Sequence, residues 1–170
     1  MNTKIRCVAG DIVSIGTDII VNAANSHLRA GGGVCGAIFK AAGMQQLQQA
    51  CNAYGNCPTG SAVITPAFNL EKFGTTHIIH AVGPQFSVKR AAECDRELVG
   101  AYRSALRLAE TVGARSIAIP AISTGIFDFP AERAAPLVAA LLTSETFDLD
   151  EIVLMALEPE KIALYADALA

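Results

Sequence analysis

The fold can be read from Ser116-Ile117-Ala118-Ile119-Pro120-Ala121-Ile122-Ser123-Thr124-Gly125-Ile126-Phe127-Asp128. Its first four residues form a short apolar run, as expected of a strand buried on both faces of a sheet. Pro120 to Pro130 reads as a loop, and a helical pattern follows from about Ala131 to Leu142. On the upstream side Leu98, Tyr102, Ala105, Ala109 and Val112 fall at helical spacing, and Gly113 stands where a C-terminal cap is expected. A buried strand with a helix on each side is the repeating unit of a parallel sheet.

Working outward, the same alternation recurs. Ile5 to Val8 reads as an edge strand, and Ile19 to Asn22 as a short buried one. Ser61 to Thr65, Thr76 to Val82 and Ile152 to Ala156 read as three more. A helical stretch runs from about Val34 to Ala53 with an interruption near Gly43, and a last helix starts at Pro159, placed in its first turn. The expected architecture is α/β, a three-layer α/β/α domain with a central mixed, largely parallel sheet. No repeat, linker or low-complexity tract divides residues 1–170, so one stand-alone domain and a monomer are expected.

Composition narrows the function. The chain is 52% hydrophobic and 17% charged, which supports a packed core rather than disorder. Thirteen basic and 16 acidic residues give a net charge of −3, with no Lys/Arg cluster. That argues against a groove for long nucleic acid, which needs a basic face. It leaves room for a small nucleotide held in another way. No apolar run approaches the roughly 18 residues of a membrane span, and Met1 to Ala9 lacks the apolar core of a signal peptide, so no membrane partner and a cytoplasmic location are expected. The five cysteines, Cys7, Cys35, Cys51, Cys57 and Cys94, are odd in number and contain no C-x-x-C pair. His77 and His80 point to opposite faces of their strand. Reduced thiols and no metal are the expectation.

Three loops carry the chemistry, each following a strand, where open α/β sheets bind ligands. Gly10-Asp11-Ile12 can offer a carboxylate to an exocyclic amine, or simply cap a turn. Asn22-Ala23-Ala24-Asn25 leads to Gly31-Gly32-Gly33 at a helix start, which is either a flexible turn or a place where free N–H groups favour an anion; the spacing fits neither G-x-G-x-x-G nor a Walker A loop. In Ile122 to Asp128, successive N–H groups around Gly125 can form an anion nest, with the Ser123 and Thr124 hydroxyls beside it, or the segment is a capped loop whose Phe127 packs on the core.

Taken together, Gly10-Asp11-Ile12, Asn22 to Asn25, Gly31-Gly32-Gly33-Val34 with Gly36-Ala37-Ile38, His80 with Val82-Gly83-Pro84, and Pro120 to Phe127 resemble the macrodomain family. The resemblance spans about Val8 to Pro130. It implies ADP-ribose or O-acetyl-ADP-ribose as ligand, mono-ADP-ribosylated proteins as partners, and no cofactor. By position it implies that Asp11 accepts from the adenine amine while the Ile12 N–H meets the ring. Gly31, Gly32, Gly33 and Val34 would face Ser123, Thr124, Gly125, Ile126 and Phe127 across the diphosphate. Asn25, with Ala23 nearby, would contact the distal ribose and Phe127 would lie beside it. Ile38, Pro120 and Ala121 would complete the walls, and His80 would be a packed core residue.

Three positions depart from the pattern. Cys35 stands where a well-known hydrolase subgroup has Asp, Phe39 where it commonly has His, and Asp128 where the family commonly has Gly. Some viral macrodomains that resemble this pattern carry Cys or Ala at the first position and are hydrolases, so Asn25, Cys35 and Asp128 are the catalytic candidates. Asp128 would either bring a carboxylate to the distal-ribose rim or face solvent. Two functions share the implied pocket: hydrolysis of mono-ADP-ribose on acidic side chains together with O-acetyl-ADP-ribose deacetylation, and non-catalytic reading of ADP-ribose. ADP-ribose 1″-phosphate and RNA ends are the remaining ligands.

Overall fold

The computed structural model describes residues 2–170, and Met1 lies outside them. Six strands, β1 (Lys4–Ala9), β2 (Ile19–Ala24), β3 (Ala62–Pro66), β4 (His77–Val82), β5 (Ser116–Pro120) and β6 (Glu151–Ala156), form one sheet in the order β1-β6-β5-β2-β4-β3. All neighbours are parallel except β3, which pairs antiparallel with β4 at the far edge.

The apolar runs are buried on both faces because alternate residues serve different cores. Ile19, Val21, Ile117, Ile119, Ile152 and Leu154 face α3 (Ala91–Thr111), α4 (Ala131–Ser144) and α5 (Pro159–Leu169). Ile20, Ala118, Val153 and Met155 face α1 (Gly33–Ala42) and α2 (Met44–Asn52). The expected break near Gly43 is a joint between two helices, made possible by its φ of 112°. The expected loop between β3 and β4 instead contains a 3-10 helix, Phe68–Phe73, that buries Leu70.

One irregularity of the sheet positions the site. β5 pairs with β6 through all five residues, but with β2 only at Ile19–Ile117 and Ile20–Ala118. Beyond Ala118 the two strands part. The chain leaves β2 toward β4 on one side and leaves β5 toward β6 on the other, so a crevice opens between their carboxyl ends at a topological switch point. At the opposite end Asp18 ties the strands together, its carboxylate accepting from the N–H groups of Arg115 at 2.8 Å and Ser116 at 3.3 Å.

Candidate active site

A cleft of about 530 Å³ lies over the carboxyl ends of β1, β6, β5 and β2. Its β1 end is formed by Gly10, Asp11 and Ile12, and by Leu157, Glu158 and Lys161 after β6. Asp11 Oδ1 accepts the Val13 N–H at 3.0 Å, capping a short 3-10 turn, and its second oxygen is free of protein partners among the described residues. Capping and ligand contact are therefore compatible. Lys161 is the one cation among the described lining residues. Its Nζ donates to Thr124 O at 3.2 Å and lies 3.8 Å from Glu158.

The wall after β2 is a glycine turn feeding α1. Gly32 is the N-cap and Gly33 adopts φ 57°, so the first-turn N–H groups are presented to the cleft without intrahelical acceptors. Gly36, one turn into the helix, is required by packing: a Cβ there would overlap the carbonyl oxygen of Gly31. The approach to this turn is built by side chains. Asn25 receives the Arg29 N–H on Oδ1 (3.1 Å) and donates from Nδ2 to Arg29 O (2.8 Å). Gln48 of α2 spans the same loop, donating to Leu28 O and accepting the Ala30 N–H, both at 2.9 Å.

The facing wall follows β5. Ser123 sits at φ 67°, and the loop closes on itself through Thr124 N–H to Ala121 O, Asp128 N–H to Gly125 O and Phe129 N–H to Ser123 O. Among the described residues, the N–H groups of Ser123, Gly125, Ile126 and Phe127 have no hydrogen-bond acceptor. The Ser123 hydroxyl is also buried and unpartnered. Gly83, from the loop after β4, stands behind it; a Cβ on Gly83 would collide with Ser123 Oγ and Ile122. Four unpaired backbone donors on a loop that lines the cavity suit an anion with no need of a basic side chain, while the Ser123 hydroxyl is enclosed behind them.

Of the sequence-predicted residues, Asp11, Ile12, Ala23, Asn25, Cys35, the Gly31–Val34 turn, Pro120, Ala121 and the Ser123–Phe127 loop all line the cleft. Ile38 does not. It is fully buried against the α1 side of the sheet, and exposed Ala37 is the helix residue that meets the cleft. Asp128 does not line it either: its own φ of 60° turns the chain away, leaving the side chain exposed. Cys35 is almost buried, with Sγ 3.8 Å from Arg29 O. The lining carboxylates are Asp11 and Glu158, after β1 and β6. Asp11 is three strand positions from Asn25, about 14 Å at the usual spacing, and Asp18 is at the other end of the sheet.

His80 is a core residue, with no exposure. Its Nδ1 is 3.0 Å from Asn22 Nδ2, and its Nε2 is 3.0 Å from Thr65 Oγ1 and 3.7 Å from Cys51 Sγ. Burial lowers its pKa to about 4, so the ring is neutral near pH 7. Sequence reasoning missed Gly83 and the Leu157–Lys161 segment. The signal for the latter was present, since it follows the carboxyl end of a parallel strand just before a helix.

A three-layer α/β/α domain with a backbone-lined anion cleft at its switch point is the class that this geometry defines. The family model described as "Macro domain" matches residues 21–138. The chain belongs to the macro domain family. It is 42% identical to a protein of Escherichia fergusonii named O-acetyl-ADP-ribose deacetylase, covering 97% of this chain and 94% of that one. A macro domain-containing protein of Ralstonia nicotianae is 44% identical, with the same coverage. Among solved structures, a variant of the Oceanobacillus iheyensis macrodomain with ADPR superimposes with a TM-score of 0.87 at 32% identity, covering 96% of this chain and 90% of that one.

Proposed function

We propose that the cleft binds ADP-ribose and that the domain hydrolyses mono-ADP-ribose from acidic side chains of modified proteins, with O-acetyl-ADP-ribose as a related substrate. The observation that carries this is the pair of facing walls with unpartnered N–H groups, at the start of α1 and at Ser123 to Phe127, in a cleft almost without cations. A diphosphate satisfies both walls at once. The free oxygen of Asp11 then serves the adenine amine, and Asn25 and Phe127 lie on the side left for the distal ribose. The name of the Escherichia fergusonii relative and the ADPR of the Oceanobacillus iheyensis structure support the same ligand.

Among the described residues no lining carboxylate stands near Asn25 to act as base, which favours a substrate-assisted route. The diphosphate positions a water at the anomeric carbon. The bond from that carbon to the side-chain carboxylate breaks, the carboxylate leaves with the electron pair, and the water's oxygen takes its place, passing its proton to a phosphate oxygen or to solvent. A carboxylate is a good leaving group and the oxocarbenium-like transition state demands little basicity, so holding the sugar and the water in register is the main task. Cys35 contributes packing at the start of α1. A thiol nucleophile would need a base, and His80 is buried in the core beside Cys51.

The same absence of a nearby carboxylate, with both ends of the Asn25 amide already engaged, favours a second reading as a non-catalytic ADP-ribose reader. Incubation with a mono-ADP-ribosylated carboxylate substrate separates the two. Release above that of a Gly33→Glu variant, which fills the anion turn, supports the hydrolase; binding without release supports the reader. No binding of ADP-ribose in calorimetry removes both.

A further inference from the structure

The Ser123–Phe127 wall begins where β5 has already parted from β2, so something other than that pairing must hold its base. Tyr102 of α3 does so. It is fully buried, and its hydroxyl donates to Pro120 O at 3.2 Å and accepts the Ile122 N–H at 3.2 Å. A single side-chain oxygen thus grips the two peptides flanking Ala121. The intervening Ala121 carbonyl is turned the other way, accepting the Thr124 N–H at 3.3 Å and the Thr124 hydroxyl at 2.8 Å. Together these bonds set the plane from which Ser123 enters its left-handed conformation and from which the unpartnered N–H groups are aimed. Tyr165 of α5 lines the same small interior void as Tyr102, Pro120 and Ala121. Its buried hydroxyl makes no hydrogen bond among the described residues, and both bonds of the Tyr102 hydroxyl go to the turn.

We propose that Tyr102 is a positioning residue for diphosphate recognition: from the far side of the wall, its hydroxyl fixes the Pro120–Ile122 turn and thereby the aim of the anion-binding N–H groups. It touches no ligand. Pro120, Ala121 and Ile122 all line the cleft, so a rotation of either gripped peptide is transmitted directly to the cavity surface. The assignment of diphosphate as the ligand rests on the function proposed above, whereas the grip of the hydroxyl on the turn does not.

The test is Tyr102→Phe, which keeps the ring and removes only the oxygen. Loss of two hydrogen bonds at the base of the wall should weaken ADP-ribose binding about tenfold or more. Binding of adenosine, which needs only the Asp11 end, should be nearly unchanged. Leu98→Ala, in the same helix and core, is the control for general destabilisation; it should lower the melting temperature without this selectivity. Amide hydrogen exchange is measured in parallel and requires no ligand. Faster exchange in Tyr102→Phe, beyond that in Leu98→Ala, is the expected result at Ile122 and at Thr124 and Phe129, the hydrogen-bonded amides of the wall. Equal exchange in the two variants overturns the proposal, as does an equal loss of ADP-ribose and adenosine affinity with the exchange pattern intact. If the unmodified protein binds neither ligand, the functional reading fails and hydrogen exchange alone decides the role of Tyr102.

Discussion

At Cys35 the side chain packs under the glycine turn and touches the Arg29 carbonyl, so its place is held by volume more than by charge. Cys35→Ser is expected to leave the rate of ADP-ribose release within a factor of about three, and a fall of a hundredfold or more would restore the thiol as a reacting group. His80 gives a pH signature instead. The unfolded chain takes up a proton near pH 6.5, while the buried ring refuses it until about pH 4. The unfolded state therefore binds more protons in that window. On this group's account stability is full above pH 6.5 and declines as pH falls toward 4, by on the order of 3 kcal/mol. Urea midpoints at pH 7 and 4.5 should show the decline, and His80→Gln should reduce it; equal slopes in both proteins would refute the assignment. The identity of Asp11, Asn25 and Phe127 as cleft residues was legible because each follows a strand. The engagement of Asn25 with the Arg29 backbone was not, since it depends on a leucine, Leu28, held at φ 57° by tertiary packing.

Among elements, the start of α1 is the most sensitive to change. Gly31, Gly32 and Gly33 by themselves read equally as a flexible turn and gain an anion-binding reading only in combination with the other loops, and the requirement at Gly36 comes from the closeness of its Cα to the Gly31 carbonyl. Gly36→Ala should displace the turn and abolish measurable ADP-ribose binding, at a cost of about 1–3 kcal/mol in stability from the forced overlap. Calorimetry with a parallel thermal melt checks both halves; intact binding would show that the turn can yield. Strand positions were legible to within a residue or two because each apolar run feeds two cores. The boundaries of α3 were less so: the periodic residues start at Leu98, whereas the helix begins at Ala91, and its first turn carries two alanines and a buried Cys94 that give little periodic signal. Ile38 illustrates the same limit. It lies in the family motif, but helical rotation turns it into the core, and motif membership does not report which way a side chain faces.

Across the whole molecule, charge is spent on the surface. Arg6, Arg90, Arg103, Arg107, Arg115 and Arg133 are each paired with an acid away from the cleft, and Lys161, itself 3.8 Å from Glu158, is the cation among the described lining residues. Lys161→Met should weaken ADP-ribose about threefold to tenfold and flatten the salt dependence of binding, with adenosine little affected. Ligand binding should also be visible in global stability. ADP-ribose at a hundred times its Kd adds about 2.7 kcal/mol, which for a domain of this size raises Tm by roughly 5–10 °C. A melt that does not move at that concentration would contradict the proposed ligand.

The position of β1 has a consequence in time. Its strand partner is β6, and the two pair residue by residue from Lys4–Glu151 to Ala9–Ala156. At usual translation speeds, roughly seven to thirty seconds separate the synthesis of these two strands. During that interval β1 has no sheet edge to join, and the Asp11 turn that follows it has nothing to be anchored against. The Asp11 end of the cleft is therefore the part whose strand support the ribosome delivers last, although its own residues are among the first made.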